Sequence, residues 1–238
     1  MLNKINLYKF FSIYLKSFTN RKSFYSYGGI DNLIYQIFKS QKNGIYIDIG
    51  CGHPIKNNNT YLLNKKGWSG INIDLDIDNI ELFKIYRPKD HNICAAISDE
   101  IKETDLFFYH SRSALNTIDK NTANYQNAKV TSINKIKTTT LNNVLNESIY
   151  KSSHIDFLSI DVEGSEFSVL KNFNFDKFKP KVIVVEYLDL SLKKLEIKNL
   201  NIQNAMNSEI YKLITSKNYT LANMVHSDLV FIYNDFRD

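Results

Sequence analysis

Residues 44–76 read G-I-Y-I-D-I-G-C-G-H-P (44–54), then a polar loop closing on N-N-N-T-Y-L-L (57–63), then G-W-S-G-I-N-I-D-L-D (67–76). Ile45, Tyr46, Ile47 and Ile49 make a bulky, β-favouring run that stops at a glycine turn, the pattern of a strand buried on both faces. A second such strand over residues 71–73 ends in the acid Asp74. Between them, residues 60–66 carry apolar side chains at the spacing of a short crossover helix. The stretch predicts one βαβ unit with glycines after the first strand and an acid after the second. That arrangement holds the ribose of an adenosine-containing ligand.

The details of the turn narrow the ligand. A dinucleotide site uses a third glycine to bring the next helix against a pyrophosphate, but here His53, Pro54 and Ile55 follow Gly50 and Gly52. Asp48, two residues before Gly50, puts a carboxylate where phosphates would be repelled. It suits a ligand with an ammonium group and no phosphate. S-adenosylmethionine is such a ligand, with Asp48 toward its methionine end and Asp74 toward its ribose hydroxyls. Asn59 and Thr60 are expected to anchor the methionine end or the loop itself. Turns of this kind also occur for the turn alone, so two other readings stand beside this one. A nicotinamide-dependent oxidoreductase predicts a dinucleotide ligand, and a non-catalytic binding module predicts none.

The chain of 238 residues is 43% hydrophobic and 23% charged, ordinary for a globular protein with a sizeable core. Its net charge of +5 comes from scattered lysines, so no nucleic-acid footprint is expected. Cys51 and Cys94 give neither a disulfide framework nor a metal spacing, which suits a reducing compartment. No apolar run has the length of a membrane span and no signal-peptide pattern opens the chain, so the expected location is cytoplasmic.

Residues 2–18 have a helical pattern with a basic remainder, expected to pack on the domain or on a second copy in a homo-oligomer. Gly28 and Gly29 interrupt it, and Asp31 is positioned to cap a helix over residues 32–39. The expected organisation is an N-terminal helical extension over residues 1–43 and a cofactor-binding domain over residues 44–238. Past Asp74, a helix is predicted over residues 80–86, stopped by Pro88, and a third strand over residues 91–97. Ser98 and Asp99 follow that strand at the end where open α/β sheets bind ligands, next to the expected adenine. Trp68 reads as core packing, and His91, His110 and His154 as structural.

The second informative stretch is H-I-D-F-L-S-I-D-V-E-G-S-E-F-S-V-L (154–170). It predicts a buried strand with Asp161 at its carboxyl end, Glu163 beyond, and a turn at Gly164 into a helix. Residues 182–185 make another buried strand, ending in Glu186. Three carboxylates at neighbouring strand ends are costly to place there for packing alone. A helix over residues 204–217 and two closely spaced strands, read as an antiparallel hairpin, finish the chain. His226 and Asp228 fall in that hairpin's turn, where exposed residues are expected. The sum is an α/β fold, Rossmann-like, with a mostly parallel seven-stranded sheet ending in an antiparallel hairpin.

Three blocks resemble the FkbM family of S-adenosylmethionine-dependent methyltransferases. They are residues 46–74, S-A-L-N-T-I (113–118), and residues 155–170 with K-P-K-V-I-V-V-E-Y (179–187) beyond. The resemblance spans roughly residues 44–233, and D-V-E-G-x-E is its most specific part. It implies a class I methyltransferase fold, cofactor contacts at Asp48, Gly50, Gly52, Asp74, Asp161 and the Ser98–Asp99 turn, and methyl transfer to an oxygen. Cys51 departs from the family, where alanine is commoner, without disturbing that implication. The implied acceptor is a sugar hydroxyl, on a nucleotide-sugar or a surface polysaccharide precursor. A hydroxyl must lose its proton, so Asp161, Glu186 and His53 are the candidate bases. Asp161, Glu163 and Glu186 also form an all-oxygen set suited to Mg²⁺ or Mn²⁺.

Overall fold

The computed structural model describes residues 24–237. The helix expected over residues 2–18 lies outside them. Ten strands occur among the described residues: β1 (Ile45–Ile49), β2 (Ser69–Asp74), β3 (His91–Cys94), β4 (Ala96–Ile97), β5 (Glu103–Phe108), β6 (Ser132–Thr139), β7 (Phe157–Ile160), β8 (Val182–Glu186), β9 (Tyr219–Val225) and β10 (Asp228–Tyr233). Seven form one sheet in the order β3-β2-β1-β7-β8-β10-β9. Its first five strands run parallel, and β10 lies antiparallel to both β8 and β9. Order therefore reverses between β1 and β7, the topological switch point at which such sheets bind ligands. Gly50, Asp161 and Glu186 all follow from strands at that point.

Both sheet faces are covered, which is why β1, β7 and β8 are almost unbroken apolar runs. One face buries Ile47, Ile49, Leu158, Ile160, Ile183 and Val185 beneath the helices Leu141–Glu147, Glu166–Lys171 and Glu209–Thr215. The other buries Tyr46, Phe157, Val182, Val184 and Val230 against Trp68 and the helix Ile30–Ile37. Trp68 is thus core, as expected. Ile30, Ile34 and Phe38 pack in this layer too, so the helix placed by sequence in an N-terminal extension is one wall of the domain's core.

Several boundaries differ from the sequence reading. The helix at Asp31 begins at Ile30 behind a left-handed Gly29. Asp31 sits inside it, accepting from Tyr25 N at 2.8 Å and from the Ser26 hydroxyl at 2.8 Å. The helix Ile77–Tyr86 starts earlier than expected because Asp76 caps it, accepting from Asp78 N. The strand read over residues 91–97 breaks after Cys94. Ala96 and Ile97 leave the main sheet and pair with Thr138 and Thr139 in a second sheet of order β4-β6-β5. Cys94 is consequently exposed rather than core. The helix expected over 204–217 is two helices, Ile202–Asn207 and Glu209–Thr215. Ser208 restarts the second by accepting from Tyr211 N.

Candidate functional site

The glycine turn after β1 is fixed by contacts that tolerate no side chain at Gly50. Gly50 has φ 76°, and a Cβ there would stand 1.6 Å from the Asp161 carbonyl oxygen. Its N–H and that of Cys51 both donate to the Ile73 carbonyl, at 2.8 and 3.1 Å. The turn is therefore clamped between the ends of β2 and β7. Asp74 completes the clamp, accepting from Gly52 N at 2.9 Å with Oδ2 and from Asp76 N at 2.8 Å with Oδ1. Burial pushes the Asp74 carboxyl up to about 6, against the pull of those two backbone donors. Each oxygen keeps a lone pair for a further donor.

Asp48 and Thr60 serve this turn from behind. Neither is among the residues lining the cavity at the switch point. Asp48 Oδ2 accepts from Asn58 Nδ2 at 3.0 Å and from Thr60 Oγ1 at 2.9 Å. Arg87 donates to Thr60 Oγ1 at 2.8 Å, to Asn58 Oδ1 at 2.7 Å, and to the Pro54 carbonyl. All four side chains are buried. Burial raises the Asp48 carboxyl while Arg87, Thr60 and Asn58 pull it back. This network ties the loop 53–60 to the helix Ile77–Tyr86. Sequence reasoning placed Asp48 against the cofactor because it could not see Arg87, which reaches in from 27 residues beyond Thr60.

The cavity itself holds about 740 Å³, within the range of small-molecule sites, roughly 300–1,000 Å³. Gly50, Gly52, His53, Asn59 and Asp74 line it, as do Asp161, Glu163 and Glu186. Ser98 and Asp99 do not. Asp99 pairs instead with Lys102 and Lys171 at 3.3 and 3.5 Å on the outside. The break after Cys94 explains this, because it brings Ala95, Ala96 and Ile97 to the cavity in their place. With Leu75 they make an apolar slot beside Asp74.

The acids at the ends of β7 and β8 converge. One oxygen from each of Asp161, Glu163 and Glu186 lies within 4.8 Å of the others. Two ligand oxygens on one Mg²⁺ are at most about 4.2 Å apart and on one Ca²⁺ about 5.2 Å, twice the bond lengths. The limit on the three acids lies inside the span of a Ca²⁺ site and slightly above that of a Mg²⁺ site. The turn's own donors do not consume it: Val162 N and Gly164 N both donate to Glu166 Oε1 at 3.0 Å. Gly164 has φ 100° and sits so close to Thr122 that a Cβ would lie 1.9 Å from its hydroxyl oxygen.

Asp161 is exposed to the cavity with Glu186 beside it, and Glu186 Oε2 is buried without a partner. Glu186 Oε1 accepts from Ser227 Oγ at 3.2 Å, and Glu163 Oε2 from Gln126 at 3.2 Å. Asp161 opens onto the cavity with protein on its other sides. Burial, followed by mutual repulsion, raises these carboxyls: Glu163 to about 8, Glu166 to about 7, and Glu186 well above its ordinary value. Asp161 has an exposed face on the cavity, yet the surrounding protein strips enough water from its carboxyl to raise it too.

Two assignments change. Asp228, read as an exposed turn residue, lies directly across from Glu186 in the β10–β8 register and lines the cavity. Burial and Asp161 push its carboxyl up to about 7. His110, read as structural, lines the cavity as well. His226 is not on the lining but packs against Tyr27, with ring centres 4.5 Å apart and the planes tilted by 51°. His53 Nδ1 accepts from Ile55 N and Lys56 N, each at 3.1 Å, so a neutral ring carries its proton on Nε2. Partial burial, then Arg112 and Lys56, lowers its pKa.

Residues 48–221 match the family described as the methyltransferase FkbM domain. No curated protein matches the chain. Among solved structures, a TehB-like SAM-dependent methyltransferase from Corynebacterium glutamicum aligns with 97% of this chain and 100% of its own. Its sequence identity is 11% and its TM-score 0.43, a likeness too loose to say anything about activity here. The family match covers most of the chain and both of its informative stretches, with the sheet ending in an antiparallel hairpin around them. The chain belongs to the FkbM family of S-adenosylmethionine-dependent methyltransferases.

Proposed function

We propose that this protein transfers a methyl group from S-adenosylmethionine to a hydroxyl oxygen of a sugar, carried on a nucleotide or in a polysaccharide precursor. The observation that carries the reading is the group of cavity-facing carboxyls, Asp161, Glu163 and Glu186, next to the glycine turn. When bound, the cofactor supplies a methyl group already activated on a sulfonium, so the protein's work is positioning and proton removal. Asp74, held by the Gly52 N–H, and Asn59 are the contacts for the ribose and methionine portions, with Leu75, Ala95, Ala96 and Ile97 flanking the base. Asp48 and Thr60 hold that loop in place.

A hydroxyl has a proton to lose and lone pairs to align, and raised carboxyls serve both needs. Asp161, Glu163 or Glu186 accepts the acceptor's proton at a carboxylate oxygen, with His53 Nε2 the alternative base. Neighbouring sugar hydroxyls donate to the remaining oxygens, which suits a polyol better than an isolated alcohol. The same three acids, drawn slightly together, would suit a divalent cation, Mg²⁺ or Mn²⁺, since they are oxygen-only and mutually repelling. When bound, such an ion would lower the pKa of a coordinated hydroxyl. Membership of a methyltransferase family sets the nicotinamide-dependent reading aside.

Calorimetric titration with S-adenosylhomocysteine, with NAD as the control and with or without Mn²⁺, tests the cofactor site. Micromolar binding of S-adenosylhomocysteine alone is expected, and silence would return the chain to a binding-module reading. Radiolabelled methyl transfer to a panel of nucleotide-sugars tests the acceptor. Glu186→Ala is expected to lower turnover far more than cofactor affinity, and normal turnover would remove it from the chemistry.

A further inference from the structure

The cavity is electrically two-sided. Asp161, Glu163, Glu186 and Asp228 gather at the strand ends, whereas Lys56 and Arg112 are its two lining cations. Among the described residues, neither cation lies within ion-pair distance of a carboxylate. Nor, among the described residues, does either exposed side chain donate a hydrogen bond within the protein. Arg112 and Lys56 both lie close enough to His53 to lower its pKa, after its partial burial.

One of the cations sits on backbone held in place at some cost. Arg112 is left-handed, with φ 58°, a conformation costing about 1–2 kcal/mol for a residue with a Cβ. Asp76 holds it there, accepting from Arg112 N at 2.6 Å and from Asn116 Nδ2 at 3.3 Å. Lys56 precedes the left-handed Asn57, φ 49°, and its own N–H is fixed by His53 Nδ1 at 3.1 Å. Strain kept beside a ligand cavity is a pointer to function. Two unneutralised cations match the charge of a phosphate group, close to −2 at neutral pH, and the Arg112 guanidinium offers the paired donors that phosphate oxygens accept.

We propose that Lys56 and Arg112 form an anion clamp on the cavity wall that holds a phosphate or diphosphate of the acceptor while its sugar hydroxyls face the acidic side. This rests on the cofactor and acceptor assignment made above and narrows it, from sugars in general to phosphorylated or nucleoside-diphosphate-linked sugars. Polarity then orients the acceptor: the anionic end cannot approach the carboxyls, and the neutral hydroxyl end can.

The test titrates inorganic pyrophosphate and uridine diphosphate into protein saturated with S-adenosylhomocysteine, for the wild type, Lys56→Gln and Arg112→Gln. Both probes are expected to bind the wild type, about tenfold more weakly in each variant, and more weakly at high salt because the site is open to solvent. S-adenosylhomocysteine affinity in the variants is expected to stay within about twofold, which also shows that they fold. Uridine diphosphate binding about tenfold tighter than pyrophosphate assigns a nucleoside-linked acceptor, and equal affinities assign a simple sugar phosphate. The clamp is overturned if the loaded wild type binds neither probe or if the variants bind them equally well. It is also overturned if the variants lose S-adenosylhomocysteine instead, since the cations would then serve the cofactor's carboxylate. Failure of the wild type to bind S-adenosylhomocysteine at all sinks the cofactor assignment, a separate result.

Discussion

Replacing Glu186 with glutamine should make the protein more stable and less active at the same time. Burial, then Asp161, Glu163, Glu166 and Asp228, pushes the Glu186 carboxyl well above its ordinary value of 4.5. The native cluster therefore holds protons at pH values where the unfolded chain has released them. For a raised carboxyl the sign is fixed: stability is fully present below the unfolded value and is lost as pH climbs toward the folded one. Each proton held in excess costs about 1.4 kcal/mol for every pH unit over which the folded carboxyl keeps it.

Glutamine has the shape of the protonated acid. It keeps an acceptor for Ser227 Oγ and places an N–H where Oε2 is buried without a partner. Glu186→Gln is expected to match the wild type near pH 5 and to exceed it by a margin that widens with pH, about 1.4 kcal/mol per unit while the native carboxyl stays protonated. For a chain of this length each such unit is about 3–6 °C in Tm. Thermal or urea unfolding from about pH 5 to about pH 8, in EDTA to remove bound cations, reads the margin directly. A variant less stable than wild type near pH 8, or two stability curves that run parallel with pH, would refute the reasoning about the cluster.

Asp48→Ala strips the acid from the buried network and leaves the Arg87 charge, 2% exposed, without its counter-charge. The expected loss is about 3–5 kcal/mol, seen as a lower urea midpoint at unchanged slope, and an unmoved midpoint would show that the network is dispensable. Gly50→Ala forces a methyl group against the Asp161 carbonyl. S-adenosylhomocysteine affinity should fall about a hundredfold or more, and near-normal binding would mean that the turn relaxes freely. Asp74→Ala removes the acceptor for Gly52 N–H and is expected to cost about tenfold in the same titration. Because the Asp74 carboxyl sits at about 6, wild-type affinity should itself decline as pH drops below that value, and a flat profile would argue that Asp74 does not contact the ligand in its ionised form.

The strands around the switch point were legible because burial on both faces demands apolar runs, and the chain writes these as I-Y-I-D-I, F-L-S-I and V-I-V-V-E. Gly50, Asp74, Asp161 and Glu186 were legible for a related reason. In an open parallel sheet, residues just past the carboxyl ends of neighbouring strands must share one edge, whatever the loops between them do. Local chemistry was harder to read where two signals competed. Residues 91–97 carry one continuous strand pattern, yet the chain changes sheets after Cys94, and that change moved Ser98 and Asp99 off the cavity.

What the sequence alone determined is the βαβ unit, the parallel sheet with its closing hairpin, and the acids that would meet at its edge, because strand periodicity and strand-end position are local properties of the chain. Which residues face the cavity was decided only by the tertiary structure. Arg87 draws Asp48 and Thr60 into a buried network from the far side of a crossover. Pairing of β10 with β8 sets Asp228 opposite Glu186, and two loops more than fifty residues apart carry Lys56 and Arg112 to the same cavity, near His53. Charges act through space at ångström distances, and no spacing along the chain encodes those.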